Sequence, residues 1–494
     1  MAAPHMANSP DNLSRRATHA AAWTLLGSGL RQLVGVGLSV ALARLLTKSD
    51  FGVVAIIMSF VAVANELRDL RLSDALIQRR ELTEADLRAA FSGTVLAGLA
   101  ASLLLAALTP AVATFYGNPE LVWLGLALAA GPFLESWGGV SRALLMRDLR
   151  HKWIAIADLI ALVVGGGVAV AMAATGSGPW ALVVFNLTGS CVATVLVILM
   201  ARWVPRPGMA RDSLRSLWGF SSYLYGARFM GQAGRNVDKL IVGKMSTATL
   251  GAYALAFRLM MLPVEQVSWV IGRVMLPTLS QLQDDPERMR RAFLRSVRLL
   301  GLVTFPISAG LFVTAEEFTR VVYGEKWLEM IPILRILCAA GFVGSIATSI
   351  GWVFFALGET KKEFYWTLAQ TLGLALAALL GAPSGAQGVA FGIVAATLLF
   401  SAIGFWIALP LIGLRWGGFL RALAPTAAAA LAMVGVLTLA RGQLAETVPN
   451  SAVLAGEVVA GAAIYVGCLW VAKAEAWRDG LELARGFLQR TERT

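Results

Sequence analysis

From Ala21 to Val471 the chain alternates long apolar stretches with short polar ones. The apolar stretches run for about twenty residues, which at 1.5 Å per residue matches the ~30 Å hydrocarbon core of a bilayer. Backbone groups in hydrocarbon have to bond within their own segment, so each stretch is predicted to be a helix. The windows fall at 21–46, 51–67, 89–113, 120–140, 153–175, 179–201, 214–241, 250–272, 292–314, 328–357, 364–382, 386–412, 421–440 and 451–471. The expected class is therefore all-α: a polytopic membrane protein of about fourteen transmembrane helices. The tenth window is long enough to hold a kink, with Pro332, Gly341 and Gly344 as candidates.

Composition agrees. Hydrophobic residues make up 57% of the 494 and charged residues only 15%, against about a quarter in ordinary globular domains. A formal charge of +12 would suggest nucleic acid in a soluble protein. Here the basic residues sit in loops between apolar spans, which argues against that partner and makes them topology signals. Roughly thirty Lys and Arg fall on one side and roughly seven on the other. The basic side includes Arg142, Arg147, Arg150 and Lys152, and Arg288, Arg290, Arg291, Arg295 and Arg298. Opposite loops such as Gly176-Ser177-Gly178-Pro179 carry none. Both termini are thereby expected in the cytoplasm of a bacterium, with the chain crossing its inner membrane many times. The first twenty residues lack an apolar core with a cleavage site, so the first span is the expected insertion signal. Cys191, Cys338 and Cys468 lie within predicted spans, and His5, His19 and His151 have no ligand-like spacing. Neither a disulfide nor a metal or other cofactor is indicated.

The chain also repeats itself. Leu46-Thr47-Lys48-Ser49-Asp50-Phe51-Gly52-Val53-Val54-Ala55 aligns with Met245-Ser246-Thr247-Ala248-Thr249-Leu250-Gly251-Ala252-Tyr253-Ala254 at an offset of 199 residues. The same offset sets Glu66 against Glu265. Six spans separate the copies, so both cross in one direction, as a parallel repeat about an axis normal to the membrane. The expected organisation is a tail at 1–20, an N-lobe of six spans at 21–213 and a C-lobe of six at 214–412. Two extra spans at 413–471 and a tail at 472–494 complete it.

Leu46-Thr47-Lys48-Ser49-Asp50-Phe51-Gly52, following one span and opening the next, resembles the signature of the polysaccharide transport family, which includes the Wzx-type flippases. Phe115-Tyr116-Gly117-Asn118-Pro119 and Val322-Tyr323-Gly324-Glu325-Lys326-Trp327 resemble it too. The span count is similar to that of the longer, colanic-acid-exporter-like branch of this group in the multidrug/oligosaccharidyl-lipid/polysaccharide exporter superfamily. The resemblance implies a two-lobed central cavity and alternating access. It implies export of an undecaprenyl-diphosphate-linked oligosaccharide to the periplasmic leaflet, for exopolysaccharide or lipopolysaccharide assembly, with a polymerase and a chain-length regulator as possible partners besides membrane lipids.

A charge near the bilayer centre costs about 2.5–3.5 kcal/mol on insertion scales, so it tends to face water or a partner. Arg31 lies midway along the first span and Arg228 midway along the seventh, at depths that would let them face one another across the lobes. Arg235 follows Arg228 by seven residues on nearly the same helical face, and Arg258 lies near mid-depth in the eighth span with Pro263 able to kink it. Arginine forks bind diphosphate bidentately, so Arg31, Arg228, Arg235 and Arg258 are the candidate headgroup contacts. For Arg235 the i,i+3 spacing to Asp238 favours an internal ion pair instead. Arg31, Arg228 and Arg258 have no acid at i±3 or i±4. Glu66, Glu135, Asp158 and Glu265 are candidate carriers of a coupling proton or sodium ion; Glu66 and Glu265 can equally pair at helix ends with Arg68 and Arg273. Glycines 27, 29, 35 and 37 of the first span and 226, 231 and 234 of the seventh allow either close packing or bending.

Two other readings stay open. A lipid II flippase shares the cationic cavity and span number, and a polytopic polymerase or ligase handles the same carrier. No paired carboxylates or nucleophile with a base stand in the short non-cytoplasmic loops, which speaks against an enzyme.

Overall fold

A computed structural model describes residues 10–68, 76–77, 79, 82–208, 226, 229–232, 234–441 and 449–482, with side chains from residue 27 onward. Most of the expected seventh window, 214–241, lies outside the described residues, as does the C-terminal tail beyond residue 482. The chain divides into two compact units, Met1–Ser222 and Tyr223–Thr494. Ten helical stretches among the described residues are long and apolar enough to cross a membrane, with Thr360–Leu411 counted as one, or eleven if a bent pair in the first unit counts as one span.

The first unit holds α1 (Pro10–Leu45), α2 (Lys48–Arg68), α3 (Glu84–Tyr116), the short α4 (Glu120–Leu128), α5 (Ala130–Ser136) and α6 (Gly139–Arg147), then α7 (His151–Ala174) and α8 (Trp180–Ala201). Its signature turn is a helix cap. The Thr47 amide and hydroxyl both donate to Asp50 Oδ2 at 2.8 Å, and the Asp50 amide returns a bond to Thr47 Oγ1 at 3.2 Å. This capping box satisfies backbone donors that the start of α2 would otherwise leave open. Thr83 and Asp86 repeat the device at the start of α3. At the other end of α3, Gly117 takes the left-handed conformation (φ 67°) that closes a helix, and Asn118 Oδ1 accepts from the Glu120 amide at 3.0 Å. The family-like residues 115–119 are thus a stop followed by a start.

The fourth window is the place where hydropathy misleads. Instead of one helix over 120–140, the chain makes α4, α5 and α6, with a 40° bend between Glu120–Ser136 and Gly139–Arg147. Gly138-Gly139 stands at the bend, and glycine is the usual weak point of a helix. Elsewhere glycine is used for approach. A Cβ on Gly27 would stand 2.6 Å from that of Ala155, and one on Gly166 2.2 Å from Leu38, so α1 and α7 meet along a thin seam.

The second unit holds α9 (Val237–Met245), α10 (Thr247–Gln281), α11 (Pro286–Val313), α12 (Ala315–Phe318), α13 (Met330–Ala356), α14 (Thr360–Gly381), α15 (Gly385–Leu411), α16 (Trp416–Arg441) and α17 (Asn450–Val471). The tenth window appears as α13, unbroken from Met330 to Ala356. Pro332 sits in its first turn, where a missing N–H leaves no bond unmade, and Gly341 is taken up by contact with Met260. Between α12 and α13, Gly324 (φ 94°) turns the chain so that Trp327 is wholly buried. Phe293, Phe305, Phe354, Phe405 and Met433 form the core of this unit, with Phe305 stacked on Phe342 at 3.8 Å between centroids. Helical residues 475–482 return to α11, where Arg298 bonds Asp479 and Arg295 bonds Glu482, both at 2.8 Å.

α14 and α15 form an antiparallel hairpin about the turn Ala382–Ser384. A Cβ on Gly381 would lie 2.1 Å from the Gly388 carbonyl oxygen, and one on Gly392 2.2 Å from that of Ala377. On both units large apolar side chains point outward, among them Leu103, Trp123, Leu380, Trp406 and Leu439. A water-exposed protein does not carry such faces at this density, whereas lipid accepts them.

Two outcomes follow from these contacts. Thr47→Val removes one half of the α2 cap and should lower stability by about 1 kcal/mol, read as a lower unfolding midpoint in detergent. Gly381→Val should drive α14 and α15 apart and abolish the monodisperse peak in size-exclusion chromatography. Gly435→Ala, where nothing lies within 4 Å of the added carbon, should leave it intact.

Candidate functional site

In the first unit charges on apolar helices are paired across helices. Asp158, two turns into α7, accepts from Arg142 of α6 twice, at 2.5 Å and 3.2 Å, and from Arg31 of α1 at 3.4 Å. The bend at Gly138 sets the direction of α6 and with it the reach of Arg142. Asp158 therefore stands between two guanidiniums, and the trio keeps one positive charge in excess. The Arg31 side chain remains 53% exposed. Spacing along α1 showed Arg31 no acid; its partner is 127 residues away.

Glu135 is engaged in the same way. Arg68 of α2 donates to its Oε2 at 2.6 Å, and the Ser190 hydroxyl of α8 donates to its Oε1 at 2.7 Å. Arg68 thus serves Glu135 rather than the expected Glu66, which is half-buried on α2.

In the second unit Arg228 lies outside the described residues. The expected pair of Arg235 with Asp238 is not formed. Residues 235 and 236 make a turn and α9 begins only at Val237, so helical i,i+3 geometry does not apply. Arg235 is exposed and donates to Gln232 Oε1 at 2.7 Å. Asp238 is buried and accepts from the Tyr253 hydroxyl at 2.7 Å, while its Oδ1 has no hydrogen-bond partner. Lys239 donates to Asn236 at 3.0 Å and stands 5.0 Å from the Phe257 ring centroid. Sequence reading missed this cluster; an Asp-Lys pair inside an apolar window was its visible sign.

α10 carries the longest polar face. Ala256, Met260, Val264 and Ser268 are buried on one side of it, against α13. On the other side Arg258, Glu265, Trp269 and Arg273 are all exposed. At 100° per residue these four fall within an arc of roughly 80° and extend over roughly 22 Å. The Arg273 guanidinium lies 4.2 Å from the Trp269 ring centroid, so the expected Glu265–Arg273 pairing gives way to a cation–π contact. Pro263 falls between Arg258 and Glu265 and deprives the Leu259 carbonyl of its helical partner, yet α10 stays one helix. Arg258 has no acidic partner among the described residues.

A face with this many charges is incompatible with lipid at the insertion cost above, so it borders water or a polar ligand. Arg258 and Arg273 against Glu265 leave one positive charge in excess on this face. The site can hold an anion by direct guanidinium bonds and offers an aromatic surface beside them. Among the described residues no group of three or more His, Cys, Asp or Glu side chains is placed to hold a metal ion.

Comparison with known proteins fits this architecture. The chain is 24% identical over 409 residues to the lipopolysaccharide biosynthesis protein WzxC of Escherichia coli (strain K12), covering 81% of this chain and 83% of that one. It is 25% identical over 460 residues to the succinoglycan biosynthesis transport protein ExoT of Rhizobium meliloti (strain 1021), with 90% of each covered. Among solved structures it superposes on the lipid II flippase MurJ in an inward closed conformation with a TM-score of 0.74, over 92% of this chain and 99% of that one at 14% identity. An inward-facing MATE-family multidrug transporter gives 0.63 over 77% and 94% at 16% identity. The structural likenesses establish a fold common to flippases and exporters. Residues 41–332 match the family described as polysaccharide biosynthesis protein, and the chain belongs to that family.

Proposed function

We propose that this protein is a flippase. It carries an undecaprenyl-diphosphate-linked oligosaccharide from the cytoplasmic to the periplasmic leaflet of the bacterial inner membrane, by alternating access. The observation that carries this reading is the polar face of α10, where Arg258 and Arg273 stand on a membrane helix among groups that lipid would reject. A diphosphate needs several cationic donors to leave the headgroup layer, and guanidinium forks supply them. Arg258 is the first headgroup contact in this scheme. Arg235, just ahead of α9, is a second candidate in the same unit, and Arg31, shared with Asp158, is the candidate of the first unit taken by itself.

The names of WzxC and ExoT support a polysaccharide precursor over lipid II. The transporter fold and the family match leave the polymerase or ligase reading without support, since neither the relatives nor the site chemistry is enzymatic. A drug exporter for organic cations would want an excess of acids, and here the excess is basic. Coupling to a proton or sodium ion would run through an acid able to change its charge. Glu265, exposed on the face of α10, is the candidate for that role in the second unit, whereas Asp158 and Glu135 of the first are already held by arginines. The loop charge supports a cytoplasmic position for both termini, and a polymerase and chain-length regulator are the expected protein partners.

In a deletion strain the lipid-linked repeat unit should accumulate on the cytoplasmic leaflet; repeat units exposed on the periplasmic face would exclude a flippase. Arg258→Ala should reduce polymer export at least tenfold with normal protein in the membrane, and Arg258→Lys should restore part of it. Asp158→Asn leaves two guanidiniums facing each other without their anion, so export and the unfolding midpoint should both fall. A variant with unchanged export and stability would remove the trio from the mechanism.

A further inference from the structure

Arg258 serves a phosphate well, but it says nothing about the sugar. The residues beyond it on the same face differ in kind. Trp269 is 42% exposed although it sits within a long helix, and Arg273 rests on its ring at 4.2 Å. Trp352 of α13 borders the same face: its indole packs on Gly272, where a Cβ would stand 3.1 Å from the ring. Any side chain at 272 would push that indole away.

Depth sharpens the contrast. From Thr247 to Trp269 the helix rises roughly 33 Å, slightly more than the hydrocarbon thickness. Trp269 and Arg273 therefore stand at headgroup level on the side opposite the Thr247 end, which is the cytoplasmic side by loop charge. Interfacial tryptophans are common as lipid anchors, but such an anchor faces lipid. Trp269 shares its face with Glu265 one turn deeper and Arg258 three turns deeper. If this face met lipid, both charges would meet it as well.

We propose that Trp269 and Arg273 form a sugar-recognition subsite at the cytoplasmic mouth of the transport path. The indole stacks against the apolar C–H face of a pyranose further along the saccharide, several sugars from the diphosphate. Arg273, held over the ring, donates hydrogen bonds to that sugar's hydroxyl or acidic substituents. Trp269 thus selects for a glycosylated carrier over a bare one, and Arg258 receives the diphosphate about 17 Å deeper along the helix. The inference rests on the flippase reading above and adds the point at which the saccharide is told apart from its lipid.

The test uses the full-length protein in nanodiscs and two probes. One is the lipid-linked saccharide fraction extracted from the deletion strain and identified by mass spectrometry; the other is undecaprenyl diphosphate without sugar. Wild type should bind the saccharide-bearing lipid at least tenfold more tightly than the bare diphosphate. Trp269→Ala should lose that preference while binding the bare diphosphate as wild type does, which also certifies its fold, and Trp269→Phe should keep part of it. Arg273→Ala should weaken the preference as well. A Trp269→Ala protein that keeps the full preference overturns the subsite, as does one that loses both probes equally or is merely less stable, the behaviour of a lipid anchor. If wild type binds neither probe, the flippase reading fails and the subsite with it.

Discussion

An ionised side chain carried into hydrocarbon needs either an opposite charge or water, and the chain meets that demand differently in its two units. In the first, acids and arginines from distant segments are brought together: Asp158 with Arg31 and Arg142, Glu135 with Arg68 and Ser190. In the second, the charges of α10 are gathered on one face and their neutralisation is left to whatever occupies the space beside them. The first arrangement ties distant helices together; the second leaves its charges exposed along one helix. Both depend on helices whose backbone is already satisfied, so that side chains alone decide which surface is wet.

The outline of the fold was legible from hydropathy because the bilayer fixes the length of an apolar run. The window 153–175 became α7 over residues 151–174, and 451–471 became α17 over 450–471. What hydropathy could not show was a change of direction inside an apolar run. Gly138-Gly139 bends the fourth span without altering its composition, and with it sets the direction of α6, from which Arg142 reaches Asp158. Signature residues were visible as motifs, but their job was not: Thr47 and Asp50 close a helix start, and Gly117 closes a helix end.

The candidate site was legible in part. Arg258 and Glu265, seven residues apart, announced a shared face on α10, and extending that face by one turn and two would have reached Trp269 and Arg273. Partners were the unreadable element. Spacing along a helix reports only neighbours three or four residues away, while Arg31 and Asp158 are 127 apart. It also assumes that the helix is present, and Arg235 failed on that condition because α9 starts two residues after it.

The trio at Asp158 has a consequence for how an anion could come and go. A lone guanidinium in a membrane gains so much from a diphosphate that the complex would be slow to part. A guanidinium that already holds a carboxylate gains only the difference between two anions, and when the ligand leaves, Asp158 takes back the vacated bonds. A diphosphate bound there would compete with Asp158, which stays beside it as a fixed negative charge, and that competition would favour release over tight retention.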